Sequence, residues 1–213
     1  MNPHDEMNTI IHDALRRDLD RLEAALQQPL GDDRRTALCG HVIWMLDVLH
    51  HHHVGEDEGV WPRVLAKRPD LQPMVDEMEA EHETLAAASG GLRLAAAAYA
   101  QDGSERNRQE MAAAVEHMKH ATLPHLEHEE REAMPLVLAT LDDDDWAYLE
   151  KNHFRKGMSF GDTGLYGMWI MDGLDPRRQG IVRATIPGPV LWFLQRRYGP
   201  RYRRTTEMAW GAA

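Results

Sequence analysis

The chain has 213 residues, 43% of them hydrophobic, which is enough for one domain with a substantial core and an additional segment. Its 24 basic and 35 acidic residues give a net charge of −11, which argues against nucleic acid as the main partner. The longest weakly polar stretch, residues 92–100, is too short for a membrane span, and the N-terminus does not resemble a signal peptide. We therefore expect a globular protein that binds neither nucleic acid nor membranes.

A single cysteine, Cys39, cannot form an internal disulfide, which fits the reducing cytoplasm where we expect this protein. The charge is uneven, because residues 176–213 contain eight Arg and one acidic residue, Glu207. We expect this basic tail to lie along the acidic body of its own chain or of a neighbouring copy. A homodimer therefore stays open, and an anionic surface is the less favoured partner.

The first 140 residues are rich in Ala, Leu, Met, Glu and Arg, a composition typical of helices. Breaks rich in Pro, Gly and Asp divide this part of the chain into four segments. Short loops between consecutive helices favour an up-down-up-down four-helix bundle, so the predicted fold class is all-α. The sequence predicts helices over residues 5–28, 32–67, 71–100 and 105–141.

A repeated pair of polar residues interrupts the apolar stripes of the second and fourth predicted helices. His52 and Glu56 continue the stripe of the second helix, and His125 and Glu129 continue that of the fourth. An i, i+4 pair places both side chains on one face of a helix, one turn apart. Because the stripe of a bundle helix faces the core, we expect both pairs to point inward.

The first and third helices each carry one histidine on the apolar stripe, His12 and His82. The chain is therefore a tandem of two similar halves, each with a one-histidine helix followed by a His/Glu helix. In both halves a proline follows the glutamate by six residues, at Pro62 and Pro135. Pro124 lies inside the fourth helix, where it removes a backbone hydrogen bond and predicts a kink beside the site.

A competing register of the second helix, which turns His53 and Asp57 inward, has nearly the same periodicity. The repeat favours the first register, because His53 and Asp57 correspond to Leu126 and Glu130, and leucine cannot bind a metal. We therefore predict that three histidines point to solvent or support the ligands from behind, namely His50, His51 and His53. The same prediction covers the histidines that lie off the stripes, His41, His117, His120 and His128.

Four imidazoles and two carboxylates in an aliphatic core would cost several kcal/mol per unpaired charge, and no Lys or Arg lies beside them on the stripes. Metal ions would compensate, since neutral His nitrogens and bridging carboxylates suit two divalent first-row metals. Two six-coordinate ions need about twelve positions; the six residues supply about eight and leave about four for solvent or a small ligand. The predicted ligands are His12, His52, Glu56, His82, His125 and Glu129.

The chain resembles the hemerythrin-like family and its HHE cation-binding domain, which is an antiparallel four-helix bundle. The motifs that carry the resemblance contain most of these residues and read HHVGEDEGVWP, EAEHETL and HLEHEEREAMP. The resemblance covers residues 5–141. It implies a non-haem diiron centre, oxo- or hydroxo-bridged, in which the four histidines are terminal ligands and Glu56 and Glu129 bridge the two irons. Manganese and zinc stay open, because these ligand types suit them too.

One feature departs from the family pattern. Oxygen-carrying members pair two histidines on the third helix, whereas Met78 and Ala86 flank His82 here. The departure indicates a more open and more reactive site than that of an oxygen carrier. The resemblance implies a protein that binds or reacts with O2, hydrogen peroxide or nitric oxide, in sensing, detoxification or peroxidase- or catalase-like chemistry. Whether it is an enzyme stays open, and iron storage or cluster repair has less support.

The last third of the chain, residues 142–213, differs in composition from the bundle predicted for residues 1–141. Four Asp at 142–145 can open a short helix, and residues rich in Gly, Met and aromatic rings follow. We predict a partly irregular extension whose aromatic residues, among them Trp169 and Trp192, pack on the bundle or on a partner. Residues 160–172 would then roof the site, which gives the alternative function of a diiron oxidase or oxygenase with a small organic substrate.

Overall fold

The computed structural model describes residues 3–186 and 188–211, and within these ranges every regular element is a helix. None of the described helices is both long and apolar enough to cross a membrane. The α-helices are α1 Pro3–Ala25, α2 Asp32–Gly55, α3 Trp61–Lys67, α4 Gln72–Gln101, α5 Glu105–His128, α6 Met134–Thr140, α7 Asp143–Leu149, α8 Phe160–Met171, α9 Pro176–Thr185 and α10 Gly188–Trp210.

The four predicted bundle helices are present, and the predicted all-α fold is confirmed. Two of them are composite: a π-helical turn, Glu56–Val60, joins α2 to α3, and a second, Glu129–Ala133, joins α5 to α6. In the bundle α4 packs against both α2 and α5, and α1 packs against α5. α5 runs through Pro124 as one α-helix.

Both π-helical turns begin at the glutamate of the repeated His/Glu pair and end two residues before a proline, Pro62 or Pro135. Proline has no N–H with which to continue an α-helical hydrogen-bond ladder, so the backbone changes its hydrogen-bonding pattern before it. π-helical turns are rare and are frequent at functional sites. Each one here interrupts the 3.6-residue period beside the residues that the sequence singles out.

The apolar core lies in two clusters, one on each side of those polar residues. The larger cluster contains the stripes of the bundle helices, with Leu19, Leu49 and Leu85 among its buried members. The smaller cluster surrounds Trp61 and contains Met78. The polar residues therefore lie at one level of the bundle, between two regions that exclude water.

The C-terminal extension is more helical than predicted, since α7 to α10 account for most of it. α10 packs on α2 and α8, and α8 and α9 pack on α1. Trp169 is buried and its ring meets the edge of Trp44, with centroids 5.6 Å apart, whereas Trp192 is 63% exposed. Trp169 therefore packs on the bundle as predicted, whereas Trp192 does not.

A buried carboxylate joins the extension to the bundle. Asp18 of α1 is inaccessible to solvent and accepts hydrogen bonds from Trp169 Nε1 at 2.8 Å, His41 Nε2 at 2.6 Å and Arg17 Nε at 2.9 Å. Its donors come from α8, α2 and α1. His41 was predicted to lie at the surface or behind the ligands. It is instead a buried residue whose ring hydrogen-bonds to Asp18. One side chain thus connects three helices across the boundary of the extension.

We predict that Asp18→Ala lowers the free energy of unfolding by about 3–5 kcal/mol, because it leaves buried donors unpaired. Urea denaturation followed by circular dichroism measures this change. The matched control is Asp20→Ala on the same helix, which removes an exposed ion pair with Lys119 and should cost less than about 1 kcal/mol. Equal effects of the two substitutions would show that Asp18 does not tie the extension to the bundle.

Candidate metal centre

The six residues singled out by the sequence meet at the level between the two apolar clusters. Each is at least nine-tenths buried, although all six carry ionisable side chains. α1 and α4 contribute one histidine each, and the composite helices contribute the two His/Glu pairs. The residues brought together are His12, His52, Glu56, His82, His125 and Glu129.

The possible ligand atoms form two groups. In the first, which we call the His12 group, atoms of His12, His52 and Glu129 lie within 4.8 Å of one another. In the second, the His53 group, atoms of His53, His82 and His125 lie within the same distance. The three ligand atoms of each group are therefore close enough together to bind one cation.

The two glutamates connect these groups. Glu56 Oε1 lies 3.2 Å from His52 Nε2, and its Oε2 lies 3.6 Å from His82 Nε2. Glu129 Oε2 lies 3.2 Å from His12 Nε2 and 3.9 Å from His125 Nε2. Each carboxylate therefore reaches one histidine of the His12 group and one of the His53 group. This placement suits carboxylates shared between two cations.

The prediction that His53 points away from the core is wrong. Its side chain is only 7% exposed, stacks on His82 with ring centroids 4.2 Å apart, and meets the edge of His125 at 5.3 Å. Neighbouring helical residues differ by about 100° in direction, and a buried stripe can be that wide, so His52 and His53 both face inward. The repeat misled the prediction because Leu126, the counterpart of His53, is buried as well but has no ligand atom.

His53 also changes the ligand count. The third bundle helix has one inward histidine, as the sequence indicates, but His53 from the second helix stands beside it and supplies a further imidazole. Around two six-coordinate ions, five histidines and two shared carboxylates would give about nine of the twelve positions and leave about three. Such a centre would be less open than six ligands imply.

Carboxylates outside the centre orient three of its histidines. Nδ1–H of His12 donates to Glu130 at 2.8 Å, that of His82 donates to Asp57 at 2.7 Å, and that of His125 donates to Glu81 at 2.8 Å. An ionised carboxylate only accepts hydrogen bonds, so the proton of each neutral ring lies on Nδ1 and the lone pair of Nε2 faces the centre. Asp57 and Glu130 occupy equivalent positions of the repeat, and each orients the single histidine of the other half.

These carboxylates are in turn held in place. Arg16 donates to both oxygens of Glu130 at 2.8 and 3.1 Å, Trp61 Nε1 donates to Asp57 at 3.2 Å, and His128 Nδ1 lies 2.7 Å from Glu81. Asn8 Nδ2 donates to Glu129 Oε1 at 2.9 Å, which leaves the other oxygen for the centre. Sequence periodicity does not indicate the roles of Arg16, Asn8 and Glu81, because these contacts join residues that lie on different helices. His128 supports the centre as predicted, and His117 and His120 are exposed.

Several atoms that face the centre are buried without a partner. Among the described residues, nothing hydrogen-bonds to His53 Nε2, His82 Nε2 or His125 Nε2. Each buried polar atom left unpaired costs about 1–3 kcal/mol. A cation would satisfy all three atoms at once, because they lie within 4.8 Å of one another and each can offer a lone pair. The His12 group offers a second set of ligand atoms within the same distance, so the residues of this site fit a pair of metal ions.

Burial and the neighbouring charges shift the pKa values of several side chains in the centre. Burial works against protonation of His12, but the negative charges of Glu129 and Glu130 outweigh it and raise the pKa of His12 to about 9. Burial lowers the pKa of His52 to about 3. Burial and the charge of Glu129 raise the pKa of Glu56 well above its usual value, whereas His12 keeps the pKa of Glu129 well below, against burial. His12 therefore holds a proton at neutral pH.

Two cavities reach the centre from different sides. A cleft of about 520 Å³ is lined by His53, His82 and Asp57. A larger pocket of about 1050 Å³ is lined by His52 and Glu56. The two groups of ligand atoms thus have separate approaches, the cleft to the His53 group and the pocket to the His12 group.

Buried histidines joined by two shared glutamates in a four-helix bundle define this chain as a metal-binding helical-bundle protein. The family model described as hemerythrin HHE cation binding domain matches residues 9–137. The chain belongs to this family, as the sequence motifs indicated. No curated protein and no solved structure matches the chain. The extension lies beyond the residues that the family model matches.

We predict that His53→Ala lowers the metal content to about half, because it removes an imidazole from one of two three-ligand groups. The measurement is inductively coupled plasma mass spectrometry on protein purified without a His-affinity step and reloaded with iron(II) under anaerobic conditions. The control is His50→Ala, an exposed member of the same histidine run, which should leave the metal content unchanged. Full metal content in His53→Ala would restore the register that the sequence favoured.

We also predict that cation binding at pH 7 releases at least one proton per chain, because His12 must lose the proton that it holds. The apparent affinity should rise with pH and level off above about 9, where His12 is already neutral. Zinc titration in weakly buffered solution, with a competing chelator at several pH values, measures both quantities. His12→Ala should release about one proton fewer. An affinity that does not change between pH 7 and 9 would contradict the assigned charges.

Proposed function

We propose that this protein holds two iron ions and binds or reacts with O2, hydrogen peroxide or nitric oxide. The His12 group would hold one ion and the His53 group the other, and Glu56 and Glu129 would be shared. The chain belongs to a cation-binding family. We propose in addition which metal ions it binds and which small molecules react with them. Cytoplasmic location and the oligomeric state remain predictions.

One observation carries the proposal: the inward nitrogens of His53, His82 and His125 are buried with no hydrogen-bond partner among the described residues, although the outward nitrogens of His82 and His125 are paired. A structural histidine cluster would use both ring nitrogens in hydrogen bonds. Here His82 and His125 use Nδ1 to fix the orientation of the ring and leave Nε2 unpaired in the interior. This division of roles is typical of metal-ligating histidines.

The surroundings of the centre support redox chemistry with small ligands. Two iron ions, when bound, supply electrons and open coordination positions for a diatomic molecule or a peroxide. The chain itself supplies an apolar wall, since Trp61 is almost fully buried and its ring centroid lies 6.5 Å from that of His82. Asp57, Glu81 and Glu130 keep the imidazoles oriented, and the cleft beside His53 gives a small polar molecule a route inward.

The physiological role within this chemistry spans sensing, detoxification and peroxidase- or catalase-like turnover, and an enzyme activity is one of these roles. The alternative proposed from the sequence, an oxidase or oxygenase of a small organic substrate, requires a cavity for that substrate beside the metals. The pocket lined by His52 and Glu56 meets this requirement and keeps the alternative in consideration.

We expect the protein reconstituted with iron(II) to contain about two irons per chain and to develop near-ultraviolet and visible bands that change with hydrogen peroxide or nitric oxide. Metal analysis beside absorption spectroscopy tests this expectation. His82→Ala should lose the spectral response, whereas His117→Ala, an exposed histidine of α5, should retain it. Iron-free protein after reconstitution, or an iron-loaded protein with a silent spectrum, would refute the proposal.

A further inference from the structure

The pocket of about 1050 Å³ lies between the bundle and the C-terminal extension. Its bundle side comes from α1 and α2, with Ile11, Trp44 and Val48, and ends at His52 and Glu56. Small-molecule sites commonly measure 300–1,000 Å³, so the pocket is large enough for a drug-sized ligand. It is too large to be needed for a diatomic molecule or a peroxide.

The other side of the pocket belongs to the extension. α8 contributes Tyr166 and Ile170, α9 contributes Val182, and α10 contributes Leu194. The hydrogen bond that Trp169 Nε1 donates to Asp18 holds α8 against the bundle. The helices that follow the family domain therefore give this centre an apolar chamber that the bundle alone does not form.

A buried glycine faces this chamber. Gly167 of α8 is buried and lines the pocket, yet a Cβ built on it would meet no atom within 4 Å. The contrast with Gly164, one turn earlier, is informative, because a Cβ there would collide with the ring of Tyr198. Gly164 permits close packing of α8 on α10, whereas Gly167 leaves space open inside the pocket.

The charged groups that line the pocket are already engaged. Asp47 pairs with Arg93 at 2.6 Å, Glu150 lies 3.4 Å from Arg155, and Asp162 accepts from the backbone N–H of Ser159 at the start of α8. His51 Nε2 lies 2.8 Å from the backbone oxygen of Phe154. Lys156 is exposed. Among the described residues that line the pocket, the carboxylates outside the metal centre are thus paired, and the lining is mainly apolar.

We propose that this pocket binds an uncharged, mainly apolar organic molecule and presents it to the His52 and Glu56 side of the metal centre. The inference rests on the proposed function for the presence of metal ions, and on the pocket alone for binding. Tyr166 lines the pocket, and burial raises the pKa of its phenol, so the hydroxyl keeps its proton and can act as a hydrogen-bond donor. The cleft beside His53 leaves a separate approach for a small oxidant.

The first test uses N-phenyl-1-naphthylamine, an uncharged probe whose fluorescence increases in apolar surroundings, and its sulfonated analogue 8-anilino-1-naphthalenesulfonate. The uncharged probe should bind the full-length protein with one site per chain, and the sulfonate should bind about tenfold more weakly. Tighter binding of the sulfonate would overturn the assigned ligand class.

The second test fills the pocket. Gly167→Leu places a side chain in the open space and should weaken binding of the uncharged probe by at least about tenfold. Gly180→Leu is the matched control, because Gly180 is an exposed glycine of α9 that also has nothing within 4 Å of a built Cβ. It should leave the affinity unchanged. Equal affinity in both variants would place the probe elsewhere, for example on the exposed face at Trp192, and would overturn the proposal.

The third test measures distance to the metals. In protein loaded with paramagnetic manganese(II), the nuclear spins of the bound probe should relax faster than in protein loaded with zinc, and Gly167→Leu should abolish the difference. An unchanged relaxation rate with metal bound would show that the ligand lies away from the centre.

Metal content measured on the same samples separates the two proposals. Iron chemistry without probe binding refutes only the proposed pocket ligand. Gly167-dependent probe binding in a protein that takes up no iron refutes only the diiron function.

Discussion

Two carboxylates and five imidazoles share the aliphatic interior of this bundle, where an unpaired charge costs several kcal/mol. Two kinds of interaction offset this cost. Carboxylates on other helices accept the outward N–H groups of three rings, as Glu130 does for His12, and the inward atoms are left for cations. The positions of the helices relative to one another therefore depend on directed hydrogen bonds to the centre as well as on apolar packing. The π-helical turns at Glu56 and Glu129 stand at this same level of the bundle.

The repeat gives the two halves of the centre similar backbones, but their ligand residues differ. Asp57 and Glu130 are equivalent partners of single histidines, and both halves have the same π-helical turn and proline. His53 and Leu126 break this symmetry, because only one of these two buried side chains can bind a metal. The extension adds a second asymmetry by covering α1 and α2. The His12 group consequently faces an apolar pocket, and the His53 group faces a more open cleft.

The extension is also connected to the centre through charges. Arg178 of α9 pairs with Asp13, which also pairs with Arg16 at 3.1 Å, and Arg16 holds the carboxylate of Glu130 that orients His12. This series of contacts agrees with the expectation that the basic tail lies along the acidic body of its own chain. It also means that the helices that build the pocket help to position one histidine of the His12 group.

The sequence by itself determined the helical bundle, its tandem halves, the family and the convergence of six polar residues, because each of these follows from local periodicity and from residue types repeated along the chain. Only the tertiary structure decided the place of His53, the helical form of the extension and the roles of Asn8, Arg16 and Glu81. Periodicity assigns a direction to a side chain within its own helix, and a stripe about 100° wide does not separate two adjacent positions. Contacts between residues far apart in sequence, and the pocket between the bundle and the extension, arise only when the helices pack.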